Sequence, residues 1–216
     1  MFERYGIYYT FDEAIGETGA KWLGWDIARA RAHAAEDYTK RPCKYGFHAT
    51  VKAPFHLADG KTEADLQHAF NTLCATVSPV TPGALQLKSI GRFLALTIKG
   101  DDTALKSLAS TVVRNMDVLR APLTNDAIAR RMKSRLSDAQ IANLHRWGYP
   151  YVMDDYQFHV TLTGPLKDPQ SEEVHAKATR VFTPLLHTSF ALAHLTLVGE
   201  RADGHFVQIT RLPLTG

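Results

Sequence analysis

Tyr45-Gly46-Phe47-His48-Ala49-Thr50-Val51-Lys52-Ala53-Pro54 aligns without gaps to Tyr156-Gln157-Phe158-His159-Val160-Thr161-Leu162-Thr163-Gly164-Pro165. Tyr, Phe, His, Thr and Pro are identical in the two stretches, and most other positions exchange apolar for apolar or small for small. Side chains alternate across a strand. In the first copy Phe47, Ala49 and Val51 therefore point one way, and His48, Thr50 and Lys52 the other. In the second, Phe158, Val160 and Leu162 form the apolar face, and His159, Thr161 and Thr163 the polar one. Each strand reads as half core and half cleft wall.

The order of elements around the two copies repeats as well. Arg4 to Phe11, rich in Tyr, Ile, Thr and Phe, predicts a strand, and Glu17 to Ala35 predicts a helix. After the first motif strand, stopped at Pro54, come a helix over Lys61 to Val77 and strands over Ala84 to Ile90 and Phe93 to Ile98. A helix over Asp102 to Leu119 follows. The second motif strand, stopped by Gly164-Pro165, leads to a helix over Ser171 to Leu186 that Pro184 shortens. Strands over Ser189 to Val198 and Phe206 to Leu212 complete it. Strand, helix, strand, strand has occurred twice, which predicts two similar halves facing a shared cleft rather than a solenoid. The stretch Leu123 to Tyr151 has no counterpart. There Ser137-Asp138-Ala139-Gln140 is a capping box opening a helix that closes at Gly148, before Pro150. A basic group, Arg130, Arg131, Lys133 and Arg135, precedes it, while Asp154 and Asp155 read as a loop.

With 45% hydrophobic and 22% charged residues over 216 positions, the chain has ordinary globular composition and disorder is not expected. A net charge of +3 suits an anionic ligand and is too weak for gripping a long nucleic acid. Cys43 and Cys74 lie in no metal-spaced or disulfide pattern, which fits a reducing cytoplasm. The N-terminus lacks the pattern of a signal peptide, and no apolar run approaches the roughly 18 residues of a membrane span. The expectation is a soluble cytoplasmic protein without membrane contact.

Paired histidines across a cleft suit phosphodiester chemistry. An unperturbed imidazole pKa of about 6.5 lets one ring be neutral and the other protonated at working pH. One then takes a proton from the attacking hydroxyl while the other gives one to the leaving oxygen. Thr50 and Thr161 would donate hydrogen bonds to the non-bridging oxygens. No metal or cofactor is required, and a metal site built from His48, His159 and Asp154 or Asp155 lacks tight ligand spacing. A single His-x-Thr on a strand is ordinarily structural. Packing, however, asks for the Phe and the aliphatics, not for a repeated His and Thr on the open face. His33, His56, His68, His145, His175, His187, His194 and His205 have no such context and read as surface or satisfied core residues.

The segments Phe47 to Val51 and Phe158 to Leu162 resemble the His-hydrophobic-Ser/Thr-hydrophobic signature of the 2H phosphoesterase superfamily, which includes cyclic phosphodiesterases and 2′-5′ RNA ligase-like proteins. Arg4 to Tyr9 and Trp147-Gly148-Tyr149-Pro150-Tyr151-Val152 further resemble its DUF1045, or phosphonate-metabolism, branch. The resemblance implies an α+β fold of two pseudo-symmetric lobes, with antiparallel sheets lining a central groove and helices outside. It implies a first motif lobe over about 40–119, a second over about 152–216 and a helical insertion over about 123–148. His48 and His159 become the acid–base pair and Thr50 and Thr161 the phosphate ligands, without metal. The substrate it implies is a small cyclic phosphate, of a phosphorylated sugar by analogy with the branch.

Around these four, Lys52 and Thr163 continue the polar rows, and Lys52 could neutralise phosphate charge or be a solvated rim residue. Arg130, Arg131 and Arg135 could reach a second phosphate or line a solvated helix face. Tyr8, Tyr149 and Tyr151 could stack on a sugar or base, against a default of packing. Rival readings are processing or ligation of a short RNA end with a 2′,3′-cyclic phosphate, and a non-catalytic module that binds a phosphorylated metabolite.

Overall fold

The alternation along the motif strands becomes a sheet with two different faces. The computed structural model describes residues 2–186 and 190–216. The strands are β1 (Tyr5–Thr10), β2 (Trp25–Asp26), β3 (Arg31–Ala32), β4 (His48–Phe55), β5 (Val80–Ile90), β6 (Phe93–Lys99), β7 (His159–Thr161), β8 (Phe190–Leu192), β9 (His194–Glu200) and β10 (Phe206–Pro213). The helices are α1 (Glu13–Leu23), α2 (Lys40–Cys43), α3 (Glu63–Thr76), α4 (Thr103–Met116), α5 (Asn125–Met132), α6 (Asp138–Trp147) and α7 (Gln170–Phe182), with short 3-10 turns at Asp117–Leu119, Met153–Asp155 and Thr183–Leu185.

Eight strands form one sheet in the order β10-β9-β1-β4-β7-β6-β5-β8, and β2 and β3 pair separately. Every pairing in the large sheet is antiparallel. The α+β class with antiparallel strands and flanking helices is what the chain forms. The halves interleave: hairpin β5–β6, which follows the first motif, pairs with β7, and β9, which follows the second, pairs with β1. The motif strands β4 and β7 thereby meet at the middle.

One face carries the main core. Ile7, Phe47, Ala49, Val51, Leu94, Leu96, Phe158, Val160, Leu195 and Leu197 are buried there with Leu66 and Phe70 of α3, Leu108 and Val112 of α4, and Ala178 and Phe182 of α7. Each large side chain so enclosed contributes about 1.5–3 kcal/mol relative to exposure. A smaller cluster of Tyr8, Trp25, Ile27, Val198 and Phe206 covers part of the other face and leaves the middle of the sheet open.

Several boundaries differ from the sequence reading. α1 begins earlier than expected and ends at Gly24, whose φ of 92° is left-handed and where a Cβ would meet that of Ala35 at 2.7 Å. The predicted helix to Ala35 gives way instead to the β2–β3 hairpin. β4 runs through Pro54 rather than stopping at it, because the β1–β4 register shifts between Tyr5 and Ile7 and the irregularity accommodates a residue without an N–H. The strand expected from Ser189 divides at Ala193 into β8 and β9, and Ser189 and His187 lie outside the described residues. The capping box is as read: Ser137 Oγ accepts from Gln140 N and Gln140 Oε1 accepts from Ser137 N.

Candidate active site

The register of the two motif strands brings their polar residues together. Ala49 stands opposite Val160, so His48 faces Thr161 and Thr50 faces His159. Directly opposed antiparallel residues put their side chains on the same face with Cβ atoms about 4.5–5.5 Å apart. The four form a two-by-two array with a histidine and a threonine at alternate corners. His48 and Thr161 line one cavity of about 330 Å3, and Thr50 and His159 line a neighbouring one of about 400 Å3. Phe93 borders both.

Each ring is anchored in the same way. His48 Nδ1–H donates to the carbonyl of Gly46 at 2.9 Å, and His159 Nδ1–H to that of Gln157 at 2.9 Å. A carbonyl can only accept, so both neutral rings carry their proton on Nδ1 and present Nε2 as the basic atom. Gly46 makes its turn at φ 69°, and a Cβ there would lie 2.8 Å from that of Ile27; only glycine gives this approach to the motif without strain. Thr50 Oγ1–H donates to His48 Nε2 at 3.0 Å.

The surroundings of the rings differ. Tyr8 stacks on His48 with centroids 3.7 Å apart and planes 18° from parallel. Burial pushes the His48 pKa down to about 4; the Gly46 hydrogen bond opposes this and the charge of His159 adds to it. His48 is therefore neutral at neutral pH. His159 has Phe93 as its aromatic neighbour, 6.2 Å away and tilted. The outer strands add a threonine beside each: Thr10 pairs with His48 and Thr97 with His159. Thr10 Oγ1 is hydrogen-bonded to Thr196 Oγ1 at 2.7 Å, whereas buried Thr97 Oγ1 has no hydrogen-bond partner among the described residues.

Three residues of the polar rows and the first strand are more enclosed than the sequence reading placed them. Tyr8 is only 1% exposed, its ring covered by His48; its hydroxyl pKa is raised by burial, and it positions the histidine rather than meeting a ligand. Lys52 does not continue the row of His48 and Thr50. The β1–β4 register shifts between Ile7–Lys52 and Tyr8–Thr50, and this bulge turns the amine toward the end of α4. There it lies 3.5 Å from Val113 O and 3.5 Å from Asp117 Oδ1. Lys52 is buried, not a solvated rim residue, and burial pushes its pKa down to about 8, with Arg120 adding to the effect and Asp117 opposing it. Thr163 is 1% exposed; it lines the cavity of His48 and Thr161, and its Oγ1 accepts the Leu94 N–H at 3.0 Å, serving strand pairing.

Tyr151 and Tyr149 both line the cavity that holds Thr50 and His159. Tyr149 also borders a third cavity, of about 300 Å3, lined by Lys52, Arg130 and Arg131 and by two arginines that sequence reasoning missed, Arg4 and Arg120. Neither missed arginine lies in a repeated motif, so nothing in the chain marked them. Arg135 and Lys133 are exposed outside it. Asp155, on a 3-10 turn rather than a loop, accepts from Gln140 Nε2 and Asn143 Nδ2 and ties α6 to the second motif. Among the described residues no group of three or more His, Cys, Asp or Glu could hold a metal ion, and no helix is long and apolar enough to cross a membrane.

The chain is 32% identical to ribose 1,5-bisphosphate phosphokinase PhnN of Janthinobacterium sp. (strain Marseille), over 99% of this chain and 51% of that protein. It is 29% identical to the PhnN of Laribacter hongkongensis (strain HLHK9), over 97% of this chain and 51% of that protein. It thus spans about half the length of the curated relatives it matches. The crystal structure of E. coli LigT complexed with NADP+ superposes with a TM-score of 0.48 at 13% identity, over 100% of this chain and 99% of that one. Residues 50–207 match the family described as "Protein of unknown function (DUF1045)", and the chain belongs to that family.

Proposed function

We propose that the chain is a hydrolase that opens a small cyclic phosphate by general acid–base catalysis without a metal. The observation that supports it most is the two-by-two array, in which two anchored imidazoles present Nε2 beside two hydroxyls on one open sheet face. His48, held neutral by burial, is the base. Its Nε2 takes a proton from water as the water oxygen attacks phosphorus. The bond from phosphorus to one ring oxygen breaks, and His159 Nε2–H protonates that oxygen. The products are a phosphomonoester and a free hydroxyl. Thr161 donates to one non-bridging oxygen, and Thr50, whose single hydroxyl hydrogen rests on His48 Nε2, turns it to the other as charge builds and water takes its place at the base.

The substrate is read as the cyclic phosphate of a phosphorylated sugar, within phosphonate catabolism. Ring opening of such a compound yields a sugar bisphosphate, the class of molecule named in the kinase relatives. The free thiols of Cys43 and Cys74 suit a reducing compartment, and the cytoplasm is the proposed location.

The test is hydrolysis by protein treated exhaustively with chelator, assayed on ribose cyclic phosphates and on a short RNA with a 2′,3′-cyclic end. Turnover of the sugar esters that survives chelation is expected. Turnover confined to the RNA, falling steeply with salt, would move the reading to RNA-end processing. Binding without product across the panel would make the chain a phosphometabolite-binding module.

A further inference from the structure

The cavity of Arg4, Lys52, Arg120, Arg130 and Arg131 is chemically unlike the groove beside it. Its lining includes no Asp or Glu among the described residues. Two of its cations are already matched: Arg4 by Glu200 through Nε at 2.5 Å and Nη2 at 2.8 Å, and Arg120 by Asp117 through Nε at 2.7 Å. Lys52, Arg130 and Arg131 are the donors left to a ligand. The Lys52 side chain is 3% exposed, and its contacts to Asp117 and Val113 O, both at 3.5 Å, lie beyond good hydrogen-bonding distance. A buried ammonium so loosely held is costly until an anion completes its shell. Arg131 lies over the Tyr149 ring at 4.9 Å, which fixes its guanidinium at the wall. At about 300 Å3 the space is at the small end of ligand sites.

It also adjoins the cavity of the reacting groups. Ala53, Tyr149 and Val152 border both this cavity and the one holding Thr50 and His159. Lys52 follows Thr50 by two residues, at most about 6.8 Å along a strand. A ligand with its cyclic diester on the His–Thr array would place a substituent from the same sugar ring in the basic chamber.

We propose that Lys52, Arg130 and Arg131 form a phosphomonoester site that selects cyclic phosphates carrying a second, terminal phosphate on the same sugar. This rests on the phosphodiesterase reading for the first phosphate, but the chamber binds a phosphomonoester whether or not the histidines turn anything over. The chamber is a specificity device: an ester lacking the second phosphate leaves Lys52 with only its long contact to Asp117, which Arg120 already engages.

Two measurements separate the claims. The first compares kcat/KM for ribose 1,2-cyclic phosphate with and without a 5-phosphate. The phosphorylated ester should be preferred by about 100-fold or more, and Arg131→Gln should cut that ratio by about 10- to 100-fold, mainly through KM. The second titrates ribose 5-phosphate against ribose into wild type and into Arg131→Gln and Lys52→Met, followed by calorimetry. Arg131 is half-buried on a short helix, so its variant keeps the test alive if Lys52→Met fails to fold. Binding of ribose 5-phosphate alone, weakened at least 10-fold in Arg131→Gln, is expected. Cleavage of both esters with equal kcat/KM would overturn the chamber and leave the phosphodiesterase standing. Absent cleavage with intact, Arg131-dependent binding of ribose 5-phosphate would do the reverse. Equal binding by wild type and Arg131→Gln would also overturn the chamber.

Discussion

The two motif copies share an anchor and diverge in everything around it. Each histidine donates Nδ1–H to the carbonyl two residues before it at 2.9 Å. Yet His48 lies under Tyr8 at 3.7 Å with Thr50 on its Nε2, whereas the aromatic neighbour of His159 among the described residues is the more distant, tilted Phe93. The third polar position diverges further. Lys52 turns at a bulge into a basic chamber, and Thr163 caps the Leu94 N–H of the next strand. A duplicated pattern has kept the part that fixes the tautomer and changed the parts that set protonation and ligand contact. In the proposed reaction this difference in surroundings makes His48 the base and His159 the acid.

The comparison is broken most forcefully at the rings themselves. His48→Ala and His159→Ala should each lower kcat by about 10²–10⁴-fold while ligand binding survives, read by steady-state kinetics beside calorimetry. If one variant stays near wild type, the pairing of acid and base is wrong. Thr50→Val and Thr161→Val come next, with kcat lower by up to about 10²–10³-fold through the loss of donors to the non-bridging oxygens. A change confined to KM would move those hydroxyls from the transition state to ground-state binding.

A smaller effect sharpens the contrast between the rings. With the His48 pKa near 4, the base loses activity only as pH falls through about 4, so kcat/KM should hold well below the ordinary histidine range. Tyr8→Leu admits water to the ring and should move that acid limb upward toward about 6.5. Stability follows the same sign. Because the unfolded chain protonates this histidine first, wild type loses stability as pH falls from about 6.5 to 4, and Tyr8→Leu should flatten that slope. A limb unmoved by Tyr8→Leu would detach the depressed pKa from the stacking. The smallest effect belongs to Thr163→Val, which strands the Leu94 N–H and should cost about 1–3 kcal/mol in denaturant unfolding. A stability unchanged by this substitution would leave Thr163 without its pairing role.

Much of this was legible in the chain, for reasons that are local. The motif strands announced themselves by alternation, and their inward residues Phe47, Ala49, Val51, Phe158, Val160 and Leu162 are all buried as that pattern predicts. The box at Ser137 and Gln140 marked α6 because a cap is a short-range interaction. What escaped depends on partners distant in sequence. Lys52 left its expected face because of a register shift against β1, which alternation within β4 does not encode. For Tyr8 the sequence leaves ligand stacking and packing both open, since only pairing with Thr50 brings its ring under His48. The exchange by which β5–β6 serves the second motif and β9 lies beside β1 is a long-range choice of neighbours. Arg4 and Arg120 reach their chamber through such choices. Gly24 did carry a local signal, a glycine closing α1, and the apolar periodicity beyond it was misread as more helix.

The central claim is that two imidazoles act on one cyclic phosphodiester, and phosphorus NMR of chelator-treated protein with a ribose cyclic phosphate addresses it most directly. In wild type the cyclic resonance should be replaced by a phosphomonoester resonance. His48→Ala and His159→Ala should each leave it in place while still perturbing its shift on binding. Conversion at wild-type rate by either variant, or no conversion of any cyclic ester by wild type, would contradict it.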